Sequence, residues 1–298
     1  MGSAVLTAFL FALSAIFGGH SARIFGSFTA NMGRVIVALT LLGIWSFTFG
    51  KGFSGVGLQW LILSGCVGFG LGDMALFGAL SRIGPRLSLL LTQCLAGPVA
   101  GLAEWLWLGQ KISFREGSCG ILIFIGVAVA LLPNGKIPTP RFFWGGVGFG
   151  ALSALGQGLG AVISRKANAI NFASQTMIDG GTAAFQRMLG GFLVTTIFIL
   201  IVNRRRSFHF TVTPMKKLPV GWHLILLNGL AGPCLGVGFY QYALSTTPSA
   251  IVLAIVATSP VIVMLLQFFT GEEKPGVISI LGALVAVGGA VALASIQG

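Results

Sequence analysis

Apolar residues in this chain come in blocks of about twenty, the length at which an α-helix crosses the hydrocarbon of a bilayer. With 55% hydrophobic and 8% charged residues, against about 25% charged in an average soluble domain, a soluble globular fold is excluded. The sequence reads as an all-α integral membrane protein. Breaking it at charged, Pro and Gly clusters predicts about ten transmembrane helices. The first five run from Ala4 to Ile24, Phe28 to Phe49, Gly57 to Leu80, Leu87 to Leu108 and Gly117 to Leu132. The next five run from Phe142 to Ile163, Gln175 to Val202, Val220 to Leu244, Ala250 to Phe269 and Val277 to Ile296.

The formal charge of +12 would suggest a nucleic-acid partner in a soluble chain. Here Lys and Arg sit at the ends of apolar blocks and read as topology signals instead. The first apolar run lacks a positive flank and a small-residue cleavage site, so it reads as a span rather than a signal peptide. Cys66, Cys94, Cys119 and Cys234 show no paired CxxC spacing, and His20 has no companion. No metal, cofactor or obligate protein partner is implied.

The two halves resemble one another. Gly65, Gly68, Gly72 and the ALS from Ala79 recur 164 positions later as Gly229, Gly232, Gly236 and the ALS from Ala243. A second register, shifted by 162, matches Pro98 with Pro260, Gly109 with Gly271, Gly120 with Gly282 and Gly126 with Gly288. Five spans per half is odd, so the second half enters the membrane from the opposite side. The expected arrangement is two inverted five-helix repeats, residues 1–133 and 142–298, joined by a loop at 134–141. Inverted repeats are the architecture of secondary transporters, whose halves rock about a midplane site.

Several segments carry a family resemblance: GDMALFGALSRIG from Gly72, a proline-containing fourth span ending LWLGQKIS, YQYALSTTPSA, and SPVIVMLLQFFTGEE. With these, nearly the whole chain resembles the EamA-like family of the drug/metabolite transporter superfamily. The resemblance implies a multi-pass protein of the cell membrane, bacterial inner membrane included, that is not an enzyme. It implies a small-molecule substrate carried by alternating access, with export as the expected direction. Family members often end spans four and nine with LGE. Gly271-Glu272 keeps that ending and Gly109-Gln110 does not, so no role carries over to the first glutamate.

A charge at a helix centre costs about 2.5–3.5 kcal/mol on the insertion scale, so each one requires a partner or a wet cavity. Arg34 and Arg187 occupy comparable places in spans two and seven, and Arg34 in NMGRVIVAL resembles an arginine common in the family. Either they snorkel or pair within the bundle, or they form a handle for an anionic or zwitterionic substrate. Asp73 either carries a coupling proton or neutralises Arg34. Glu104 shares a helical face with Gln93 and Gly97, as an interfacial carboxylate or a second coupling candidate. Gln157, Tyr240 and Gln241 add neutral hydrogen-bonding groups, to a cavity or between helices. Pro98 and Pro260 are expected to interrupt the backbone ladder in mid-span and act as gating breaks. The GxxxG pairs Gly68/Gly72, Gly97/Gly101, Gly156/Gly160 and Gly232/Gly236 read chiefly as helix contacts.

The leading expectation is a carrier of small polar or amphipathic metabolites, amino acids or related compounds above all. Export of lipophilic cations is the alternative within the superfamily, but span one lacks an acidic residue and two arginines disfavour a cation. A remoter alternative reads Gly70-Leu71-Gly72-Asp73 as the GxGD of an intramembrane aspartyl protease, with Asp179 as partner. ATP is not implied, because the GxxxxGK[ST] loop is missing. Orientation is contested. With the N-terminus inside, as the family usually has it, the inner loops hold five Lys and Arg and the outer loops eleven. The positive-inside rule then favours both termini outside.

Overall fold

The computed structural model describes residues 2–108, 113–130, 140–205, 221–246, 249–271 and 276–297. Among these residues every regular element is a helix, as a bilayer demands of a chain that does not close a barrel. Gly109, Gln110 and Glu272, and residues 134–139 of the loop between the halves, lie outside the described residues.

The first half comprises α1 (Gly2–Phe25), α2 (Ser27–Thr48), α3 (Leu58–Gly65), α4 (Asp73–Leu89), α5 (Leu95–Leu108) and α6 (Phe114–Ala130). The second comprises α7 (Pro140–Ala173), α8 (Gly180–Arg205), α9 (Trp222–Gly229), α10 (Val237–Thr246), α11 (Ser249–Val256), α12 (Ser259–Thr270) and α13 (Val277–Gln297). Three π-helical segments join neighbours without a break: Cys66–Gly72 between α3 and α4, Leu90–Cys94 between α4 and α5, and Leu230–Gly236 between α9 and α10. The first and third are offset by 164 positions at both ends, the same register that relates the glycines of the two halves.

Among the described residues, six helical stretches are long and apolar enough to cross a membrane. One of them, Leu58–Trp107, is 50 residues long. It turns back at Gly84, whose φ of 75° and ψ of 173° leave the helical region, with Pro85 restarting the helix. Three further apolar helices are shorter: Gly117–Ala130, Ser259–Thr270 and Val277–Leu293.

Two expected boundaries move. The sixth span, expected to end at Ile163, continues as α7 for 34 residues to Ala173, about 50 Å at 1.5 Å per residue. Arg165 and Lys166 therefore ride on a helix, not in a loop. The ninth span is split, with α11 ending at Val256 and α12 starting at Ser259, and Pro260 sits in the first turn of α12, where its missing N–H costs nothing.

Large apolar side chains point outward, Val5, Ile44, Phe47, Leu106, Leu193 and Phe268 among them, while much of the interior is alanine and glycine. This inversion of the soluble pattern suits helices solvated by lipid and packed through small residues. Of the four GxxxG pairs, Gly68/Gly72 meets Gly156/Gly160 directly. A Cβ on Gly156 would lie 2.6 Å from Gly72 Cα, and one on Gly160 3.2 Å from Gly68 Cα. Gly97 and Gly101 make no such approach: a Cβ there would meet only Leu293 at 4.0 Å, or nothing. Gly232 and Gly236 face Ser14 and Phe11 of α1. Gly156→Ala should therefore force α7 off the π-helical turn and cost about 1–3 kcal/mol. Thermal denaturation in detergent should show a lowered midpoint for Gly156→Ala and none for Gly148→Ala, where the same helix leaves the Cβ open space.

Candidate functional site

A cavity opens where all three π-helical segments converge. Phe69 comes from the first, Gln93 from the second, and Gly232 and Pro233 from the third. A π-turn widens the helix and leaves its carbonyls out of register, and such turns recur at functional sites. Pro98 lies in the unbroken helix α5, and the carbonyl its missing N–H would have bonded belongs to Cys94, the last residue of the second π segment. The expected interruption is thus displaced one turn upstream of the proline. Pro233, inside the third segment, marks another.

Three charged side chains face the cavity: Arg34 of α2, Asp73 at the start of α4 and Arg187 of α8. Their residues are 5%, 2% and 2% exposed, so none escapes to an interface and the snorkelling reading of the arginines is overturned. Arg34 Nη2 donates to Asp73 Oδ2 in a buried ion pair. Its Nε donates to Asn31 Oδ1 at 3.1 Å, and its guanidinium stands 4.7 Å from the centre of the Phe77 ring. Gln157 Nε2 donates to the second Asp73 oxygen at 3.1 Å. Each Asp73 oxygen is thereby occupied.

Arg187 is held differently. Its guanidinium lies 5.0 Å from the Phe69 ring centre. With the Gln241 amide oriented so that its oxygen faces the arginine, that oxygen accepts from Nη1 at 2.6 Å and Nε at 3.3 Å, an orientation assigned from the hydrogen-bond pattern. Tyr240 lines the cavity beside it, 6.2 Å ring to ring from Phe11. The cavity carries two guanidinium groups and one carboxylate, set among phenylalanines. Its volume is about 50 Å³, room for a few waters at about 10–15 Å³ each.

The structure gathers Arg34, Arg187, Gln93, Gln157, Tyr240 and Asp73 around this cavity and places Gln241 behind Arg187. Glu104 does not join them. It accepts from Arg165 Nη1 of α7 at 2.6 Å, so the stripe of Gln93, Gly97 and Glu104 serves two separate places. Pro260 lies at the α11–α12 break, outside the cavity lining.

Asp179 immediately precedes α8, accepting from the Thr182 N–H at 2.9 Å, the Thr182 hydroxyl at 2.5 Å and the Trp45 indole at 3.0 Å. It acts as a helix N-cap. Partial burial pushes its carboxyl up, but these hydrogen bonds outweigh it and hold it below the usual carboxylate value. Asp73 and Asp179 have separate partners, unlike a catalytic dyad sharing one proton.

Sequence reading missed Asn31, although its i−3 spacing from Arg34 is a recognised helix pairing. It also missed the walls Phe11, Phe69 and Phe77, which nothing distinguishes among 24 phenylalanines.

No curated protein matches the chain. A solved structure titled only "Crystal structure of protein" shares the fold, with a TM-score of 0.65 at 16% identity, over 98% of this chain and 99% of that one. The model of the EamA-like transporter family matches residues 1–132 and 144–295. A match over both halves, on a bundle of apolar helices with charged groups at its centre, makes the chain an integral multi-pass membrane protein of the drug/metabolite transporter superfamily, a transporter and not an enzyme: it belongs to the EamA-like transporter family.

Proposed function

We propose that the chain is a secondary active exporter of small polar or amphipathic metabolites that carry a carboxylate, amino acids and related compounds first among them. One observation carries this reading: two buried guanidinium groups face a single carboxylate in an aromatic-walled cavity. Arg34 is matched by Asp73, and Arg187, bonded to a neutral amide, leaves a positive charge for which a substrate carboxylate is the natural complement. The same excess disfavours a lipophilic cation.

Alternating access suits this arrangement. Ten spans in two inverted repeats, residues 1–133 and 142–298, would place the cavity between halves of matching architecture. The matched π segments, 164 positions apart, support that symmetry. A cavity of about 50 Å³ is small for an amino acid, so binding would draw on movement of the surrounding helices. Asp73, between two arginines, is the candidate for proton coupling. Glu104, engaged by Arg165, is not assigned that role.

The test is counterflow in proteoliposomes with amino acids, organic acids, nucleosides and lipophilic cations. Saturable exchange of a carboxylate-bearing class is expected; exchange confined to cations would overturn the reading. Arg187→Gln should reduce the specificity constant for a carboxylate substrate about ten- to a hundredfold, the scale of a charge-assisted hydrogen bond, while the protein still elutes as a folded species in detergent. Equal losses of folded and active protein would make Arg187 structural.

Asp73→Asn separates the two roles of the carboxylate. If Asp73 carries the coupling proton, the variant loses accumulation driven by a pH gradient and keeps exchange. Retained pH-driven accumulation would assign Asp73 to neutralising Arg34 alone.

A further inference from the structure

A second group of charges lies away from the cavity, on the face of the bundle that carries the 49–57 and 174–179 connections. Two consecutive basic residues of α7 reach neighbouring helices there. Arg165 Nη1 donates to Glu104 Oε1 of α5 at 2.6 Å. The Lys166 ammonium stands 3.9 Å from the centre of the Trp60 ring of α3 and 4.6 Å from that of Trp107 of α5, and the two indoles are 6.1 Å apart. Consecutive helical residues point about 100° apart, so one short stretch of α7 engages two sets of partners at once. Three helices are tied together at one end.

One turn deeper, Ala100, Ala161 and Val162 belong to the same buried cluster as Tyr240, whose side chain lines the cavity. One continuous buried cluster therefore links the residues beneath these contacts to the cavity wall. The contacts also suit repeated breaking. The Arg165 side chain is 42% exposed and that of Glu104 10%, against 6% and 2% in the Arg34–Asp73 pair, so water reaches this pair from its arginine side and competes for the guanidinium. A separate cavity of about 250 Å³ borders Arg165 and mixes the polar side chains of Asn168, Asn171 and Ser245 with apolar ones such as Phe172 and Met177, leaving the guanidinium room and hydrogen-bonding groups when it leaves Glu104. The opposite end of α7 is held by a different device, the Arg82 guanidinium 5.5 Å from the Phe142 ring and 4.6 Å from the Phe149 ring.

We propose that Glu104, Arg165, Lys166, Trp60 and Trp107 form a latch that holds this face of the transporter shut, and that its release opens a path to the cavity from this face. The proposal rests on the alternating-access reading and adds which contacts close one of the two faces.

Ser14, in the cavity lining, provides a reporter when replaced by cysteine. A membrane-impermeant maleimide is applied to sealed vesicles of either orientation, and the protein without the added cysteine gives the background of the four native thiols. Glu104→Gln and Trp60→Leu should each raise labelling from the latch face about two- to fivefold, the scale on which one partly exposed contact shifts a two-state equilibrium. Labelling from the opposite face should stay level or fall. Exchanging the charges, Glu104→Arg with Arg165→Glu, should restore slow labelling. Unchanged labelling from the latch face would overturn the proposal, as would an equal rise from both faces, which marks a loosened bundle. Labelling needs no substrate. A protein unlatched by Glu104→Gln that exchanges no compound would lose the carrier reading and keep the latch. Active exchange with labelling unmoved would do the reverse.

Discussion

The buried ion pair between Arg34 and Asp73 is the constraint around which the interior is arranged. Neither group can reach water at an interface, and desolvating two charges costs about as much as their attraction returns. Such a pair persists in an apolar bundle only if further donors and acceptors surround it. Asn31 takes Arg34 Nε, Gln157 occupies the second oxygen of Asp73, and Phe77 offers its ring face to the guanidinium. Packing alone would be served as well by apolar side chains of the same volume. The polar set is thus more than packing requires, which accords with the proposed polar cargo.

Room for that set comes from the backbone. All three π-helical segments contribute cavity residues, and each widens its helix where a regular α-helix would close it. Glycine then restores contact elsewhere: Gly72 in the first π segment meets Gly156 of α7, one residue before the Gln157 that bonds Asp73. The approach of two backbones and the placing of a hydrogen-bond donor are one event. Substituting the glycine disturbs both, since the Gln157 amide moves with α7.

Much of this was legible in the sequence, for physical reasons. Helix length in a bilayer is fixed by hydrocarbon thickness, so apolar blocks give the helices directly. Charges inside such blocks are costly enough to stand out, which is why Arg34, Arg187 and Asp73 were found and do share a cavity. What escaped depends on features without a composition signal. Nothing in LLTQC distinguishes a π-turn from an α-turn. Pro260 reads as a mid-span break only if the ninth span is assumed continuous, whereas it begins a second helix. Arg165 and Lys166 look like a loop because two cations follow an apolar run, yet α7 carries them on for two more turns. Their partners Glu104, Trp60 and Trp107 lie some sixty or more positions away or across another helix, a proximity that only the fold creates.

The length of α7 gives these separate observations a common frame. Phe149, Gln157 and Arg165 lie eight residues apart in turn, so along the helix Gln157 is midway between the Arg82–Phe149 contact and the Arg165–Glu104 pair, about 12 Å from each at 1.5 Å per residue. A continuous helix of 34 residues passes a tilt at one end to its centre as long as its hydrogen-bonded ladder holds, the weak points being proline, Gly/Ser pairs and π-turns. Between these contacts α7 has no proline or π-turn, and its glycines Gly150, Gly156, Gly158 and Gly160 are packed against Leu91, Gly72, Val99 and Gly68. Under the proposed alternating access, freeing either end would carry along the amide that holds Asp73, and a change in the charges around Asp73 would bear back on both ends through the same helix. Coupling between a central site and two distant faces then requires no chain of small rearrangements, only one stiff helix with its central contact at the site.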